Sequence, residues 1–487
     1  MIPRKPDTTE IAIVGAGPAG VAAAVTAARA GASVTVLDEY ARPGGQYYKQ
    51  PVHTDGGPSY PHSLASTIQQ GRELLEGLSH PGIDLQCNTL AWNISADELV
   101  LDLYSPAGAR ALQAQRIILC AGATERAVPF PGWTLPGVIM AGAGQLMLKA
   151  HGLLPGKTFL LAGTGPLLQL AAVQLLEAGA QIAALVELRS RTEFLKSAAH
   201  LWRYPDKLGQ GFATLQKLLQ ARVPIKFGHT IAQALGETEV SGAVIMRVDG
   251  DGQPIPGSET RFEVDTICLN YGFTPATELP RIAGCEQYFD QDYATYATAT
   301  NDSLETSIAG ILAAGETRGM GGAEVAVIEG QLAGSVAAQQ LGFSPPFDQN
   351  GLSDKRLQAR AVAASLGKMF QLKPGLCALA ADDVPVCRCE EVSAGEVRAA
   401  IRNGVVQLNQ LKPWTRAGMG RCQGRICGDI LRQIVAAETG LPLSEIQPFT
   451  ARAPVKPVPL EVVGGPVAET DTLTWEDHVG GYGVART

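Results

Sequence analysis

The sequence has no surplus of positive charge. Its 39 lysines and arginines stand against 47 acidic residues, for a formal net charge of -8. That balance leaves no electrostatic footprint for nucleic acid or an anionic membrane, and it points to small molecules and protein partners. An apolar run long enough to cross a bilayer is also missing. The most apolar stretch, TFLLAGTGPLLQLAAVQLLEAGAQIAALVE, is interrupted by Gly-Pro, Gln169, Gln174 and Glu177 and reads as strand, turn, helix and strand, so no transmembrane segment is expected. The opening MIPRKPDTTEIAIVGAG passes from a polar lead into a strand without the apolar core and cleavage site of a secretory leader, so a cytoplasmic location is expected. No Ser/His/Asp set, no H-E-x-x-H and no motif for a base poised over an amine is present, which leaves no catalytic residue to nominate. Of the seven histidines, His151 and His200 border helical patterns and read as surface or packing residues. Nine cysteines is an odd number, and four of them crowd between Cys387 and Cys427. That favours ligation in a reducing compartment over a disulfide framework.

What is present is organised for nucleotides. At 487 residues the chain exceeds what one hydrophobic core supports, so two or three domains are expected. The 55 glycines and 31 prolines suit many tight turns between strands and helices. IAIVGAGPAGVAAAVTAARAGASVTVLDEY is an apolar run, a glycine-rich turn, an alanine-rich helical pattern and a second β-branched run ending in acid. This is a βαβ unit with Gly15, Gly17 and Gly20 in the G-x-G-x-x-G order and Pro18 and Ala19 between the last two. Gly15 permits the turn, Gly17 lets amides approach a pyrophosphate, and Gly20 lets helix and strand pack closely. Asp38 is placed to bind a ribose hydroxyl, with Glu39 as the fallback. A second such unit runs through KTFLLAGTGPLLQLAAVQLLEAGAQIAALVE with Gly163, Gly165 and the strand-end Glu187. Its third glycine position is Leu168, which weakens the motif. Glu187 favours an unphosphorylated ribose, so NAD is the expected nicotinamide, and ADP or ATP fits the same contacts.

Near the far end, Cys387-x-Cys389, the helix-like AGEVRAAIRNGV and Cys422-x4-Cys427 form two close thiol pairs. Four thiolates fill the coordination of either a [2Fe-2S] cluster or tetrahedral zinc, and spacing does not separate the two. Arg416, Arg421 and Arg425 are expected to surround the second pair and lower its thiol pKa values. Cys120 and Cys268 lie in apolar strand patterns and read as core. Cys377 reads as a free thiol, and Cys87 and Cys285 carry no interpretable context.

Three further segments resemble two-dinucleotide-domain flavoproteins. RPGGQYY (Arg42–Tyr48) contributes Gly45 and Gln46. IILCAGATERAVPFPG (Ile117–Gly132) contributes Ala121 and Gly122. TSIAGILAAGETRGMGGAEVAVIEGQLAG (Thr306–Gly334) contributes Gly315 and Glu316, the latter where Asp is usual. Their order implies FAD in the first site. Together with GATERAVPFPGWTLPGV, CRCEEV, TRAGMGRCQGRIC and the tail TARAPVKPVPL, they resemble the α subunits of heteromeric flavin amine dehydrogenases, the octopine and nopaline oxidase, D-hydroxyproline dehydrogenase and hydrogen cyanide synthase type. The resemblance spans roughly residues 10–460. It implies an α/β fold, a Rossmann-like FAD domain with an inserted second nucleotide-binding domain, followed by a small helical BFD-like [2Fe-2S] domain. The implied division is FAD domain 1–130 and 265–345, inserted domain 131–264, connector 346–381, cluster domain 382–450 and extended tail 451–487. It further implies that the amine is oxidised in an FAD-dependent β subunit of the D-amino-acid-oxidase type, with a small ferredoxin-like γ subunit plus an interfacial FMN in some members. Two other readings stay open: a self-sufficient NADH-dependent reductase, and an assembly subunit with structural nucleotide and zinc sites. LWRYPDKLGQGF (Leu201–Phe212) is a candidate partner surface, with packing as its plainer reading.

Overall fold

The computed structural model describes residues 6–52, 60–200 and 204–464. The first βαβ unit forms as its pattern predicts. Strand Asp7–Val14 pairs in parallel with Val34–Leu37, and helix Pro18–Ala30 lies between them. Proline sits in the first turn of that helix, where its missing N–H costs nothing, and Gly31 ends it in the left-handed region. On its other side the first strand pairs with Gly108–Leu119, whose far end receives Ile311–Ala313. The chain therefore leaves this sheet after Leu119 and returns to it nearly two hundred residues later.

The excursion builds a second parallel sheet of five strands in the order Ile225–Phe227, Gln181–Glu187, Thr158–Gly163, Thr266–Asn270 and Val138–Met140. Thr266–Asn270 pairs on both sides within that sheet, so the inserted domain extends to Asn270 and does not stop at residue 264. Exit and return are joined by a short antiparallel pair, Ala123–Glu125 with Phe273–Pro275.

The returning helix Gly322–Gln340 packs against the first helix almost backbone to backbone. A Cβ on Gly330 would lie 2.1 Å from the Ala19 carbonyl oxygen and one on Gly334 2.4 Å from that of Ala23. The connector is the long helix Gln349–Met369, capped by Asp348. Beyond it, helix Ala394–Arg402 opens with a Ser393/Glu396 capping box, worth about 0.5–2 kcal/mol. The helices Leu408–Thr415 and Gly428–Thr439 complete the cluster domain.

The core of this domain is continuous with that of the inserted domain. Val386, Val397, Leu408, Ile430 and Ile434 belong to one continuous buried cluster with Leu160, Val186, Ile245 and Ile267 of the inserted domain. Trp133 bridges the two, donating its indole N–H to the Pro385 carbonyl at 2.7 Å.

The tail is not simply extended. Val455 donates to the Trp92 carbonyl, and Val455 and Val462 are buried in the core of the first domain. Residues 465–487 lie outside the described residues, as do residues 201–203 of the candidate partner segment and the side chain of His200. Phe212, the end of that segment, is exposed on helix Pro205–Gln220. Among the described residues no helix is long and apolar enough to cross a membrane.

Candidate functional site

The first glycine loop is shaped by what it cannot hold. A Cβ on Gly15 would lie 2.4 Å from the Cys120 carbonyl oxygen, and one on Gly20 would lie 1.8 Å from that of Gly15. Gly17 caps the first helix without any side-chain acceptor, so that end keeps its amides for an anion. Gly45 abuts it, since a Cβ there would stand 2.9 Å from Gly17 Cα. The late motif arrives at the same place. A Cβ on Gly315 would lie 2.9 Å from that of Ala19, and Gly122 donates its amide to the Thr317 hydroxyl. Ala121 lies beside Gly15. Gly122 and Gly322 both have open space where a side chain would be. The four segments nominated from sequence thus converge on one cradle with open space at Gly122 and Gly322, which fits FAD.

The acids behave differently from one another. Asp38 is buried and accepts from the Ala16 amide at 2.7 Å and the Tyr40 amide at 2.8 Å, which pins the glycine loop to the end of the second strand. Burial pushes its pKa up, partly offset by those two bonds. Glu39 is engaged by Lys456 of the tail. Gln46 reaches the Tyr40 hydroxyl. Glu316 accepts from the Gly322 amide, so its extra methylene carries the carboxylate to the start of the returning helix; burial raises its pKa. A residue not nominated from sequence orders this loop. Glu329 is fully buried, accepts from the Gly315 amide at 2.9 Å, and is held by Arg318 at 2.6 Å and Arg360 at 2.8 Å. Burial pushes its pKa up, but the two guanidiniums outweigh that and hold it below the usual carboxylate range. Arg360 also donates to the carbonyls of Gly319 and Met320, so the connector helix clamps the flavin loop. The available signal was the second of the two glutamates of helix Gly322–Gln340, Glu329, which interrupts its apolar run.

The second glycine loop has the same turn and a different interior. Gly163 adopts a left-handed φ and lies against the Asn270 carbonyl, as Gly15 lies against Cys120. Leu168 is fully buried among Ala141, Phe159 and Leu161. Glu187, 1% exposed, accepts from the Thr164 hydroxyl at 2.8 Å and pairs with Arg189 at 3.4 Å. The Arg189 guanidinium is buried as well, 4.2 Å from the Phe370 ring centroid and 5.1 Å from that of Phe194. The strand-end acid expected to read a ribose is thus buried beside a cation that Phe370 of the connector covers, while its second oxygen and both terminal nitrogens of Arg189 are buried without hydrogen-bond partners.

The four late cysteines meet in one place. Cys427 hydrogen-bonds both Cys387 and Cys422, and Cys422 also engages Cys389. As they stand, no three His, Cys, Asp or Glu side chains among the described residues are set to hold a metal ion. The electrostatics are those of a thiolate nest. The Cys387 thiol is lowered to about 6 by the Cys427 thiol and by the amides of Gly418, Glu390 and Cys389. Cys422 is lowered to about 5 by Cys427 and by the amides of Ile426 and Gly424. Cys427, donating to both, is pushed strongly up. Gly420 leaves room for Cys389, whose Cβ would otherwise lie 2.2 Å away. Amides directed at sulfur are what an electron-rich iron–sulfur cluster requires, and they fit the [2Fe-2S] group.

Two of the three arginines expected to activate these thiols are engaged elsewhere. Arg416 pairs with Glu390 and Arg425 with Glu278, while Arg421 is exposed. Cys120 and Cys268 are buried and burial raises both thiols, Cys120 to about 12, as core residues should be. Cys377 is a free thiol, as read from the sequence, and it is buried.

Two redox sites of different kind on one backbone define a flavin- and iron–sulfur-dependent oxidoreductase. The chain belongs to the pyridine nucleotide-disulphide oxidoreductase family, whose model matches residues 9–330, and residues 385–437 match the BFD-like [2Fe-2S] binding domain. It is 34% identical over 460 residues to an opine oxidase subunit of Rhizobium meliloti (strain 1021), covering 92% of this chain and 96% of that one. It is 31% identical over 453 residues to hydrogen cyanide synthase subunit HcnB of Pseudomonas aeruginosa, covering 92% and 96%. The crystal structure of L-proline dehydrogenase from P. horikoshii superposes with a TM-score of 0.67 at 18% identity, over 95% of this chain and 81% of that one, a likeness of fold. FAD and a [2Fe-2S] cluster are accordingly its cofactors.

Proposed function

We propose that this chain is the electron-relay subunit of a heteromeric dehydrogenase. Its partner, a β subunit of the D-amino-acid-oxidase type, removes hydride from a secondary amine such as an opine or D-hydroxyproline. The electrons leave to a quinone or other respiratory acceptor, and the assembly works in the cytoplasm. Bound FAD supplies two-electron chemistry that can be divided into single electrons, and the cluster supplies one-electron transfer. The chain's own residues hold and insulate these groups. The glycine cradle binds dinucleotide, Asp38 fixes its loop, Glu329 with Arg318 and Arg360 orders the late motif, and the amides around Cys387 and Cys422 hold thiolates.

The observation that carries this reading is the burial of the second unit's strand-end acid. A self-sufficient NADH reductase needs a nicotinamide nucleotide there, and Glu187 is 1% exposed and paired with Arg189 beneath Phe370, which speaks against a carboxylate presented to its ribose. The names of the relatives, one a subunit of opine oxidase and the other of hydrogen cyanide synthase, support the heteromeric part.

The test is iron, sulfide and flavin content of the anaerobically purified chain, followed by addition of NADH and then of an amine panel to the co-expressed complex. Two irons per chain, bound flavin, no bleaching by NADH and bleaching by an amine only in the complex are expected. Flavin reduced by NADH in the isolated chain would overturn the reading in favour of the reductase.

A further inference from the structure

The four cluster ligands are not equally covered. Cys387 and Cys427 are each 1% exposed and face the shared core, whereas Cys389 is exposed and Cys422 half-buried. One edge of the cluster site therefore reaches the surface, and that edge is not an ordinary polar surface. Met419, beside the Gly420 that packs on Cys389, is 46% exposed, and Trp414 on the preceding helix is 58% exposed. Met419 also lines a groove of about 410 Å³ with Lys412 and Arg452. Exposed tryptophan is the residue type most enriched where partners dock.

The charge around this edge opposes that of the chain. Arg421 and Arg452 are exposed with no ion-pair partner among the described residues, and Lys412 lies over the Phe449 ring. Burial, then the positive charges of Arg452 and Arg281, hold the Lys412 ammonium below its ordinary pKa, partly offset by Cys427. Glu390 is already matched by Arg416 at 2.8 Å, leaving Glu391 as the exposed acid of the Cys387–Cys389 loop. A protein of net charge -8 thus presents a cationic, apolar-centred face at the exposed edge of its cluster.

From this juxtaposition we infer that the Cys389 edge is a docking surface for a small acidic one-electron carrier protein, with Trp414 and Met419 as its apolar centre and Lys412, Arg421 and Arg452 steering the approach. Opposite charge raises encounter rates and sets register, and a short path through one exposed ligand makes a brief encounter sufficient. The inference rests on the electron-relay reading.

The test uses the full chain with its cofactors and an acidic plant-type [2Fe-2S] ferredoxin, reduced with dithionite and freed of excess reductant. One electron leaves the ferredoxin and one arrives on the oxidised chain, with no bond made or broken. The methyl viologen radical, a small cation that needs no docking, serves as the second reductant. The second-order rate with ferredoxin should fall steeply with ionic strength. It should drop roughly tenfold or more in the Arg421→Glu/Arg452→Glu double variant and roughly tenfold in Trp414→Ala. Iron content, the cluster's EPR signal and the methyl viologen rate should be unchanged. A ferredoxin rate indifferent to salt and to both variants would overturn the docking surface while leaving the relay reading intact. Failure of methyl viologen to reduce a cluster of full iron content would overturn the relay reading and the inference with it.

Discussion

The two dinucleotide folds of this chain share a turn and differ in everything that turn serves. In the first, Gly20 lets the helix approach so closely that a Cβ would stand 1.8 Å from the Gly15 carbonyl oxygen, and Asp38 is spent only on the amides of its own loop. In the second, Leu168 fills the corresponding contact, and Glu187 is neutralised by Arg189 under Phe370. The same fold element presents a glycine cradle in one place and a leucine-packed loop with a buried ion pair in the other. The decision is made by a few side chains and not by the backbone.

Exchanging the features of the two loops is the sharpest way to break this comparison. Gly20→Leu should abolish flavin binding, because its Cβ has no room beside the Gly15 carbonyl; bound flavin per purified chain measures it. If flavin is retained, close packing is not what separates the sites. Glu187→Gln leaves Arg189 buried without its counter-charge and should cost about 3–5 kcal/mol, read in urea melts, with flavin content unchanged where folded. A smaller but comparable loss, about 2–4 kcal/mol, is expected from Leu168→Ala as a cavity opens in the inserted core, again without loss of flavin.

The gentlest test concerns Lys149, which joins the two domains by donating to the Tyr47 carbonyl at 3.3 Å. Burial lowers its pKa to about 8. The folded state therefore binds fewer protons than the unfolded state between about pH 8 and the ordinary lysine range. Stability from this group should rise with pH across that window, by up to about 1.4 kcal/mol per unit, and the penalty is fully present below pH 8. Lys149→Met should remove that slope. A pH series of urea midpoints for both proteins checks the sign.

The first βαβ unit, the four-thiol nest and the helix within AGEVRAAIRNGV were legible because each is a local pattern whose chemistry is complete within a few dozen residues. The burial of Glu187 beside Arg189 was not. Glu187 at a strand end looks like Asp38 at a strand end, and what distinguishes them is Phe370, brought over by the connector helix. Glu39 looked free for a ribose until the tail delivered Lys456. The arginines near Cys422 looked like thiol activators, but amides a few residues from the sulfurs do that work, and backbone direction has no letter in the sequence. The boundary at residue 264 moved to Asn270 because a buried apolar strand such as TICLN belongs equally well to either sheet until pairing decides.

The return of Ile311–Ala313 to the sheet begun by Asp7–Val14 also sets a timetable for the newborn chain. With synthesis at about 5–20 residues per second, strand Gly108–Leu119 waits on the order of 10–40 s for its neighbour, while every strand of the inserted sheet has already emerged. The outer domain must therefore close around a finished inner one, and flavin can be captured only when the ribosome is well past the midpoint of its message. The apolar face awaiting the cluster domain stays uncovered longer still, which makes synthesis of the chain's final stretch the moment of greatest exposure to aggregation and to chaperones.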